Sequence, residues 1–543
     1  MTPHTFRLPL LLLSTSLAMS TPALAQSDDA SGTAIAPSPG TTPAPMPTMA
    51  DIEQAWRAGD FVTVRDGLKI LAETEGSALA QYRYGRVLAE GRGGPRDIEA
   101  AAGWLEKAVE QNNNDAAVLL ARIYLSTKND EAAQAAGGLL ERAAARGHAE
   151  AQYYLGLLYR SGRGVEKDLS KSFNWLLASA ELGFVESQYE LARAYSRGEG
   201  VAQNNAEAER WLTEAAGNGH VSAQFNLAVA LDQGRGVTQD RVAALAWFRR
   251  AAEAGQLVAQ RELGMRYLQG IGGEANAEEG LRWLTSAAQA GEAGAQVNLG
   301  VVFAEGEKWG VAQSDEQAVF WYSKAAAQTS PQGMVALAEM QAAGRGMDQN
   351  LPAAVDLLRR ALRDTGYPGA ALQLGQLAGE GKLDGLVAPQ NAVPWAVLAA
   401  EQGHAGALAW LEQQAKTDNR PARTGLGLYL IKQDGQEARA ANLFAAAAEQ
   451  GDVLAQFKLG EAYTTGTGVD LDYVQAHKWL NVAAAQGSSE AGTQRDTVSK
   501  LMTPEQIAQA QALAREWFDQ EASRVPQTEQ SEIDVSTGKR SND

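Results

Sequence analysis

Residues 151–156 read Ala-Gln-Tyr-Tyr-Leu-Gly, and this pattern recurs along most of the chain. Close copies stand at 223–228, 259–264, 295–300 and 455–460, and weaker ones start at 80, 116, 187, 333, 370 and 422. From residue 151 to residue 295 the copies start every 36 residues, and a broken copy lies near Ala405. A fixed period of this length indicates a repeat architecture, in which each copy is one supersecondary unit.

Tryptophans recur along the chain with nearly the same period. They are Trp104, Trp175, Trp211, Trp247, Trp283, Trp321, Trp395 and Trp479. A regularly spaced aromatic residue is more typical of a core position than of a sugar-binding platform. We therefore expect these side chains to pack between helices.

Each copy has the features of two helices. Gly156 lies among bulky residues at helical spacing and would allow a second helix to approach closely. The two glycines in 162–164 permit a turn, Asp168 is a good N-cap for the second helix, and Gly183 would end it. An isolated pair of this kind cannot bury its apolar side. The sequence therefore predicts an all-α, right-handed α-α superhelical solenoid of about eleven to twelve helix-hairpin repeats.

The unit resembles the Sel-1-like repeat, a relative of the tetratricopeptide repeat, whose pattern is A-x-Y-x-L-G-x-x-Y-x-x-G-x-G-V-x-x-D. The match covers about residues 78–489. The resemblance implies an adaptor or scaffold that binds other proteins. Some bacterial members act in the periplasm, including in exopolysaccharide export, and cysteine-rich members are credited with β-lactam binding. This chain contains no cysteine.

Composition narrows the possible functions. The 543 residues include 47 Lys and Arg and 65 Asp and Glu, a net charge of −18, which argues against a nucleic-acid partner. The absence of cysteine excludes disulfides, thiolate metal sites and a cysteine nucleophile, and 5 histidines make a multi-histidine metal centre improbable.

The N-terminus has the features of a secretory signal peptide. Arg7 precedes a short apolar run, and Ala23-Leu24-Ala25 provides the small-residue cleavage site, so cleavage between Ala25 and Gln26 is expected. Since no cysteine follows, a lipid anchor is not expected. We predict a soluble protein in the periplasm or the medium, with no transmembrane segment in the mature chain.

The remaining boundaries follow from composition and period. We predict a signal peptide at 1–25, a disordered linker at 26–50, N-terminal capping helices at 51–76, the repeat solenoid at 77–490 with an irregular stretch near 376–425, a C-terminal capping helix at 491–524, and a disordered tail at 525–543.

A search for catalytic motifs predicts no enzyme. The Gly-x-Gly segments recur in most copies and lack the Lys-Ser/Thr of a phosphate-binding loop, so they are interpreted as turns. The one Ser-x-x-Lys, at 536–539, lies in the polar tail. His148, His220 and His404 each follow the closing glycine of a copy, which is typical of a loop contact. No catalytic residue, cofactor or metal ligand is predicted.

The first helix of each copy provides a candidate binding surface. If tetratricopeptide geometry applies, the residue after Gly156 and its equivalents face a groove. Arginines gather there in the N-terminal half, at Arg86, Arg122 and Arg193, with Arg160 and Arg197 about one turn further on. Such a strip could bind carboxylates through bidentate hydrogen bonds. The alternative is that these arginines are solvated or paired with glutamate.

Trp309 is a separate candidate, because it falls in an apparently extended loop where the period stretches to 38 residues. Taken together, these features predict a non-enzymatic periplasmic adaptor that binds an unidentified protein through the solenoid surface. One alternative is a scaffold for assembly or export of an alginate-like exopolysaccharide, with an anionic polysaccharide as partner. The other is a β-lactam-binding or hydrolytic protein.

Overall fold

The structure is a computed structural model that describes residues 46–524. The predicted signal peptide with its cleavage site at Ala25 and Gln26, most of the linker, and the tail with its Ser-x-x-Lys lie outside the described residues. Within 46–524 the regular structure consists of α-helices and one 3-10 turn, without strands.

The chain divides into two compact units, with the boundary between Ile123 and Tyr124. Unit 1 contains α1 (Met49–Ala58), α2 (Phe61–Thr74), α3 (Ala78–Glu90), α4 (Ile98–Glu110) and most of α5 (Asn114–Ser126).

Unit 2 contains the remaining helices. They are α6 (Asp130–Ala145), α7 (Ala149–Ser161), α8 (Leu169–Glu181), α9 (Val185–Arg197), α10 (Asn205–Gly217), α11 (Val221–Gln233), α12 (Arg241–Glu253), α13 (Leu257–Gln269), α14 (Ala277–Gln289), α15 (Ala293–Glu305), α16 (Asp315–Ala327), α17 (Pro331–Ala343), α18 (Leu351–Thr365), α19 (Pro368–Gly379), α20 (Pro389–Glu401), α21 (Ala405–Ala415), α22 (Arg420–Leu430), α23 (Glu437–Ala448), α24 (Val453–Thr465), α25 (Tyr473–Ala485), α26 (Ser489–Ser499) and α27 (Pro504–Arg524).

The helices pack as hairpins in chain order. In unit 2 the pairs run from α7 with α8 to α24 with α25, and each hairpin packs on the next. First helices of adjacent repeats also contact each other directly, as α13 does with α15 and α15 with α17. Every principal contact joins helices that are adjacent or next but one along the chain. The predicted all-α fold of tandem helix hairpins is confirmed.

Glycine allows the two helices of a hairpin to approach closely, as predicted. A Cβ on Gly156 would lie 2.8 Å from Cγ of Leu176, and one on Gly264 would lie 2.7 Å from Cγ of Leu284. The predicted N-cap is also present, since the Asp168 carboxylate accepts a hydrogen bond from the backbone N–H of Lys171 at 2.9 Å.

The periodic tryptophans lie at the edge of the core more often than inside it. Trp211, Trp321 and Trp479 are buried, whereas Trp104, Trp175, Trp247, Trp283 and Trp395 are half-buried. The residue after the tryptophan often fills the core instead, as Phe248 and Leu284 do with no exposed area. Cations cover several indoles, and the guanidinium of Arg250 lies 4.4 Å from the Trp247 ring centroid.

A buried glutamine joins each of several repeats to the preceding one, a role that the sequence did not suggest. The glutamine follows the first alanine of the motif, and its side-chain amide donates to a carbonyl in the last turn of the preceding second helix. The pairs are Gln152 with Ala144, Gln224 with Ala216, Gln260 with Ala252, Gln296 with Ala288 and Gln456 with Ala448, at 3.0–3.2 Å. Each of these carbonyls also accepts a hydrogen bond from the backbone N–H of the glycine that follows its helix, as Ala144 does from Gly147 at 2.9 Å, so the glutamine adds a second donor from the next repeat.

The repeat pattern is interrupted at α21, inside the stretch expected to be irregular. This helix has no second helix of its own; it packs on α19 and α20, while α22 packs on α20 and forms a hairpin with α23. Pro394 falls within the stretch expected to be irregular, but it lies inside α20. Pro421 was expected in an irregular segment and lies in the first turn of α22, where no backbone donor is needed.

Both ends of the repeat array carry additional helices. α1 begins at Met49, inside the segment expected to be linker, because Thr48 and Asp51 form a capping box. The predicted C-terminal helix is two helices, α26 and α27. Thr503 and Gln506 cap α27 reciprocally, and Trp517 packs edge-on against Trp479 with ring centroids 6.3 Å apart.

Candidate interaction surface

The first helices of unit 2 carry one register position that is never buried. It is the residue after Gly156 and its equivalents, namely Leu157, Arg193, Val229, Met265, Val301, Glu339, Gln376, Leu428 and Glu461. All of these are half-exposed except Glu339, which is exposed. Burial among surrounding protein nevertheless raises the pKa of the Glu339 carboxyl. Each of these first helices therefore has an accessible side chain at this position, and its chemical character differs from one repeat to the next.

The arginines of the predicted strip in unit 2 are paired with glutamate. Nη1 of Arg160 lies 2.5 Å from Oε2 of Glu190, and Nη1 of Arg193 lies 2.9 Å from Oε1 of the same carboxylate. Glu190 is only 11% exposed. Arg197 makes a looser contact with Glu199 at 3.4 Å. Arg160, Glu190 and Arg193 thus form one ion-pair cluster across α7 and α9.

The other two arginines of the strip belong to unit 1. Nε of Arg86 lies 2.7 Å from Oε1 of Glu90, one helical turn further along α3. This hydrogen bond raises the pKa of the Arg86 guanidinium. Arg122 lies on α5 with an exposed side chain. The functional role predicted for the strip stays a prediction, although the glutamate-paired alternative describes Arg86, Arg160 and Arg193 well.

Trp309 does not lie in an extended loop, so that part of the prediction is wrong. It ends the 3-10 turn Gly306–Trp309, is half-buried, and packs against the core beside α14. Its indole N–H donates to Oε2 of Glu305 at 2.8 Å, and Lys308 bonds to the same oxygen. The ring is therefore held in place, and a role in binding stays a prediction.

A second ion-pair cluster in unit 2 was not anticipated. Arg266 of α13 donates to Oδ2 of Asp232 at 2.8 Å and to Oε2 of Glu262 at 2.7 Å, and its guanidinium lies 4.1 Å from the Phe248 ring centroid. Arg266 is 12% exposed. Its partners come from helices α11 and α13, so the cluster links two adjacent repeats.

The three recurrent histidines are helix N-caps. Nδ1 of His148, His220 and His404 accepts a hydrogen bond from the N–H three residues later, at 3.2, 3.1 and 3.0 Å. Asp452 caps α24 from the same position. Only a neutral imidazole provides this acceptor, so these histidines stabilise helices in their unprotonated form.

The His220 cap predicts acid sensitivity. The imidazole stacks on Tyr189, and burial lowers its pKa, opposed by Glu186 and Glu190. A lowered pKa means that the stabilisation is complete above the ordinary value of about 6.5 and is lost as pH falls through the folded-state value. We expect the thermal midpoint of the wild type to fall more between pH 7.5 and 5 than that of His220→Asn, by the equivalent of about 1 kcal/mol. Thermal unfolding followed by circular dichroism at several pH values measures this.

Asparagine caps a helix without titrating, and all other acid-sensitive groups are common to the two proteins. Equal pH dependence of the two proteins would show that His220 contributes nothing to acid sensitivity.

The described residues show neither a metal cluster nor a membrane helix. Among residues 46–524, no three His, Asp or Glu side chains gather to hold an ion, and no helix there is long and apolar enough to cross a bilayer.

Comparison with known proteins identifies the repeat. A family model described as the Sel1 repeat matches ten segments that together cover more than half of the chain. They are 78–113, 149–184, 185–220, 221–256, 257–292, 293–330, 331–364, 368–404, 424–452 and 453–488. No curated protein matches the chain significantly.

Three solved structures are informative to different degrees. The Escherichia coli protein c5321, described as a protective antigen of uropathogenic strains with an SLR fold, is 28% identical, covers 88% of this chain and 99% of its own, and has a TM-score of 0.54. A Sel1 repeat protein from Oxalobacter formigenes is 28% identical over 44% of this chain and 96% of its own, with a TM-score of 0.38. The immunity protein Pa5087 from Pseudomonas aeruginosa is 22% identical over 39% of this chain and 81% of its own, with a TM-score of 0.26. The likeness to c5321 supports the superhelical solenoid fold.

Proposed function

We propose, from the premise that the chain belongs to the Sel1 repeat family, that it is a non-enzymatic adaptor that is exported to the periplasm and binds a protein partner. Sel1 repeat solenoids are generally protein–protein interaction scaffolds. The partner lies along the first helices of unit 2. Export is supported by the signal-peptide features of the sequence.

One observation carries this proposal, namely the contrast between two positions of the same helices. The core leucine just before the glycine or alanine of the motif is repeated and buried, as in Leu155, Leu191 and Leu263. The position just after the glycine stays accessible and varies between cationic, aliphatic, amide and anionic side chains. A scaffold that keeps its core uniform and varies its accessible face is suited to recognising one specific surface.

The pairing of arginines favours a protein over an anionic polymer as partner. Arg160 and Arg193 already share Glu190, and Arg266 is enclosed by carboxylates. Val229, Met265 and Val301 supply accessible apolar groups on α11, α13 and α15, the next first helices along the chain. Alternating apolar and ion-paired groups resemble protein interfaces more than a polyanion site, which needs a row of available cations.

The proposal is tested by photocrosslinking in cells. We place a benzophenone side chain at Val229, Met265 or Val301 on first helices, and at Val242 on the second helix α12 as the control. Val242 is 70% exposed, so it is at least as available for reaction. We expect the three first-helix positions to crosslink the same protein in the periplasmic fraction, and Val242 to give no such adduct.

Three results would contradict the proposal: the same adducts from Val242, no adduct from any first-helix position, or an adduct that consists of polysaccharide. Recovery of the chain only from the cytoplasm would contradict export.

A further inference from the structure

A cavity of about 390 Å³ lies between α1, α2 and α3 of unit 1. Its floor is formed by Ile52, Leu68 and Val87, which are at most 3% exposed. Trp56 forms part of the wall, and its ring is held edge-on by Phe61 at a centroid distance of 5.4 Å. The volume lies within the usual range of ligand pockets, and the floor is apolar.

The rim of the cavity is charged. Arg83 and Arg86 lie one helical turn apart on α3, and Glu53 extends from α1. Nη1 of Arg83 is 3.5 Å from Oε1 of Glu53, which is long for an ion pair. The Arg83 and Arg86 side chains are 36% and 46% exposed, so both are accessible to a ligand at the mouth.

The charges at this mouth do not balance. The Glu90 carboxylate serves two guanidiniums, with Oε1 2.7 Å from Nε of Arg86 and Oε2 2.6 Å from Nε of Arg92. Three arginines therefore share two glutamates, a local balance of 3 − 2 = +1. The whole chain carries −18, so this mouth is a positive site on an acidic protein.

We propose that this cavity binds a segment of a protein partner in which a bulky aliphatic residue is followed by an aspartate or glutamate. The aliphatic side chain enters the cavity above Ile52, Leu68 and Val87 and packs against the half-buried ring of Trp56. The neighbouring carboxylate bonds to Arg83 and Arg86, where it completes the charge balance. A purely apolar ligand would leave these arginines without the second carboxylate, and a purely anionic one would leave the accessible part of the Trp56 ring without an apolar partner.

The proposal is independent of the first-helix surface of unit 2, and its test uses defined peptides. Three fluorescein-labelled dodecapeptides, acetylated and amidated at their ends, differ only in a central pair that is Leu-Glu, Leu-Gln or Ser-Glu. Binding to the full chain is measured by fluorescence polarisation. We expect the Leu-Glu peptide to bind with a Kd below about 1 mM and each altered peptide to bind about tenfold more weakly.

Protein variants locate the binding. We expect Arg83→Gln and Arg86→Gln to weaken binding of the Leu-Glu peptide about tenfold, and Glu53→Gln to strengthen it, because Glu53 competes for Arg83. Arg57→Gln is the matched control, since Arg57 is exposed on α1 and lies outside the cavity. It removes the same charge and should leave the Kd unchanged. Thermal unfolding confirms that each variant is folded.

Equal weakening by Arg57→Gln and Arg83→Gln would overturn the proposal, because general charge attraction would then explain binding. Equal affinity for the Ser-Glu and Leu-Glu peptides would overturn it, because the leucine side chain would then not enter the cavity beside Trp56. So would failure of the Leu-Glu peptide to bind. None of these results affects the crosslinking expected on unit 2, so the two proposals fail separately.

Discussion

Gly200→Ala is expected to lower the thermal midpoint far more than Gly236→Ala, although the two glycines share a φ of 76°. Both are the second glycine of a Gly-x-Gly turn, so alanine meets the same backbone penalty of about 1–2 kcal/mol at each. A Cβ on Gly200 would lie 2.0 Å from the backbone oxygen of Leu169, in the first turn of the preceding repeat's second helix. A Cβ on Gly236 would meet no heavy atom within 4 Å.

At Gly200 the added Cβ is fixed to its own backbone and overlaps the backbone oxygen of Leu169. No side-chain rotation can therefore relieve the overlap. We expect Gly236→Ala to cost about 1 kcal/mol of unfolding free energy and Gly200→Ala about 3 kcal/mol or more. Urea unfolding of both variants measures the difference. Equal destabilisation would mean that the turn of α9 does not rest on α8 as the structure shows.

Arg266→Met should destabilise the chain strongly, while the same change at Arg282 should have little effect. The two arginines make contacts of similar length, with Arg282 lying 2.6 Å from Glu279. Their exposure differs, since Arg266 is 12% exposed and Arg282 is 61% exposed. Methionine keeps the length and apolar character of the side chain. It leaves Asp232, which is 18% exposed, without its cation, while Glu262 keeps only its contact with Arg261 at 3.0 Å.

We expect about 3 kcal/mol of lost stability for Arg266→Met and less than about 1 kcal/mol for Arg282→Met. Adding Asp232→Asn to Arg266→Met should restore part of the loss, because the uncompensated carboxylate is then neutral. A loss at Arg282 as large as that at Arg266 would contradict this account, and so would a double variant less stable than Arg266→Met alone.

The fold was predictable because its signals are local and repeated. The period defined the hairpins, Gly156 indicated a close helix crossing, and Asp168 was recognisable as an N-cap. The capping box of Thr503 and Gln506 likewise depends on two residues within one turn. Each of these features is decided by neighbours within a few residues, and repetition separates them from chance.

The candidate surface was predictable only in part, because its electrostatics depend on contacts between repeats. Arg193 and Glu190 are three residues apart and visible as a pair, but Arg160 reaches Glu190 across 30 residues. The cluster of Asp232 and Arg266 spans 34 residues. That one carboxylate pairs with two arginines becomes visible only when the repeats are stacked in the structure. The expected strip of available arginines was therefore incomplete, because it left out their glutamate partners.

The structural roles of some recurrent residues had a signal in the sequence that was not recognised. Glutamine recurs at the second motif position, as in Gln224 and Gln260, and its repetition was a signal for a structural bond between repeats. Histidine alternates with Asp452 at one position, which is typical of a shared capping role. Trp309 was misplaced because a single-turn 3-10 helix has no periodicity to detect.

Packing between near neighbours in the sequence has a consequence for how the chain acquires its structure. Because the principal contacts within residues 46–524 join helices that are adjacent or next but one along the chain, little loop-closure entropy opposes any single step, and such low contact order favours rapid assembly. A hairpin that forms anywhere in unit 2 can template its neighbours. A polypeptide threaded through a membrane pore in extended form could therefore rebuild its structure progressively as it emerges, without waiting for its far end.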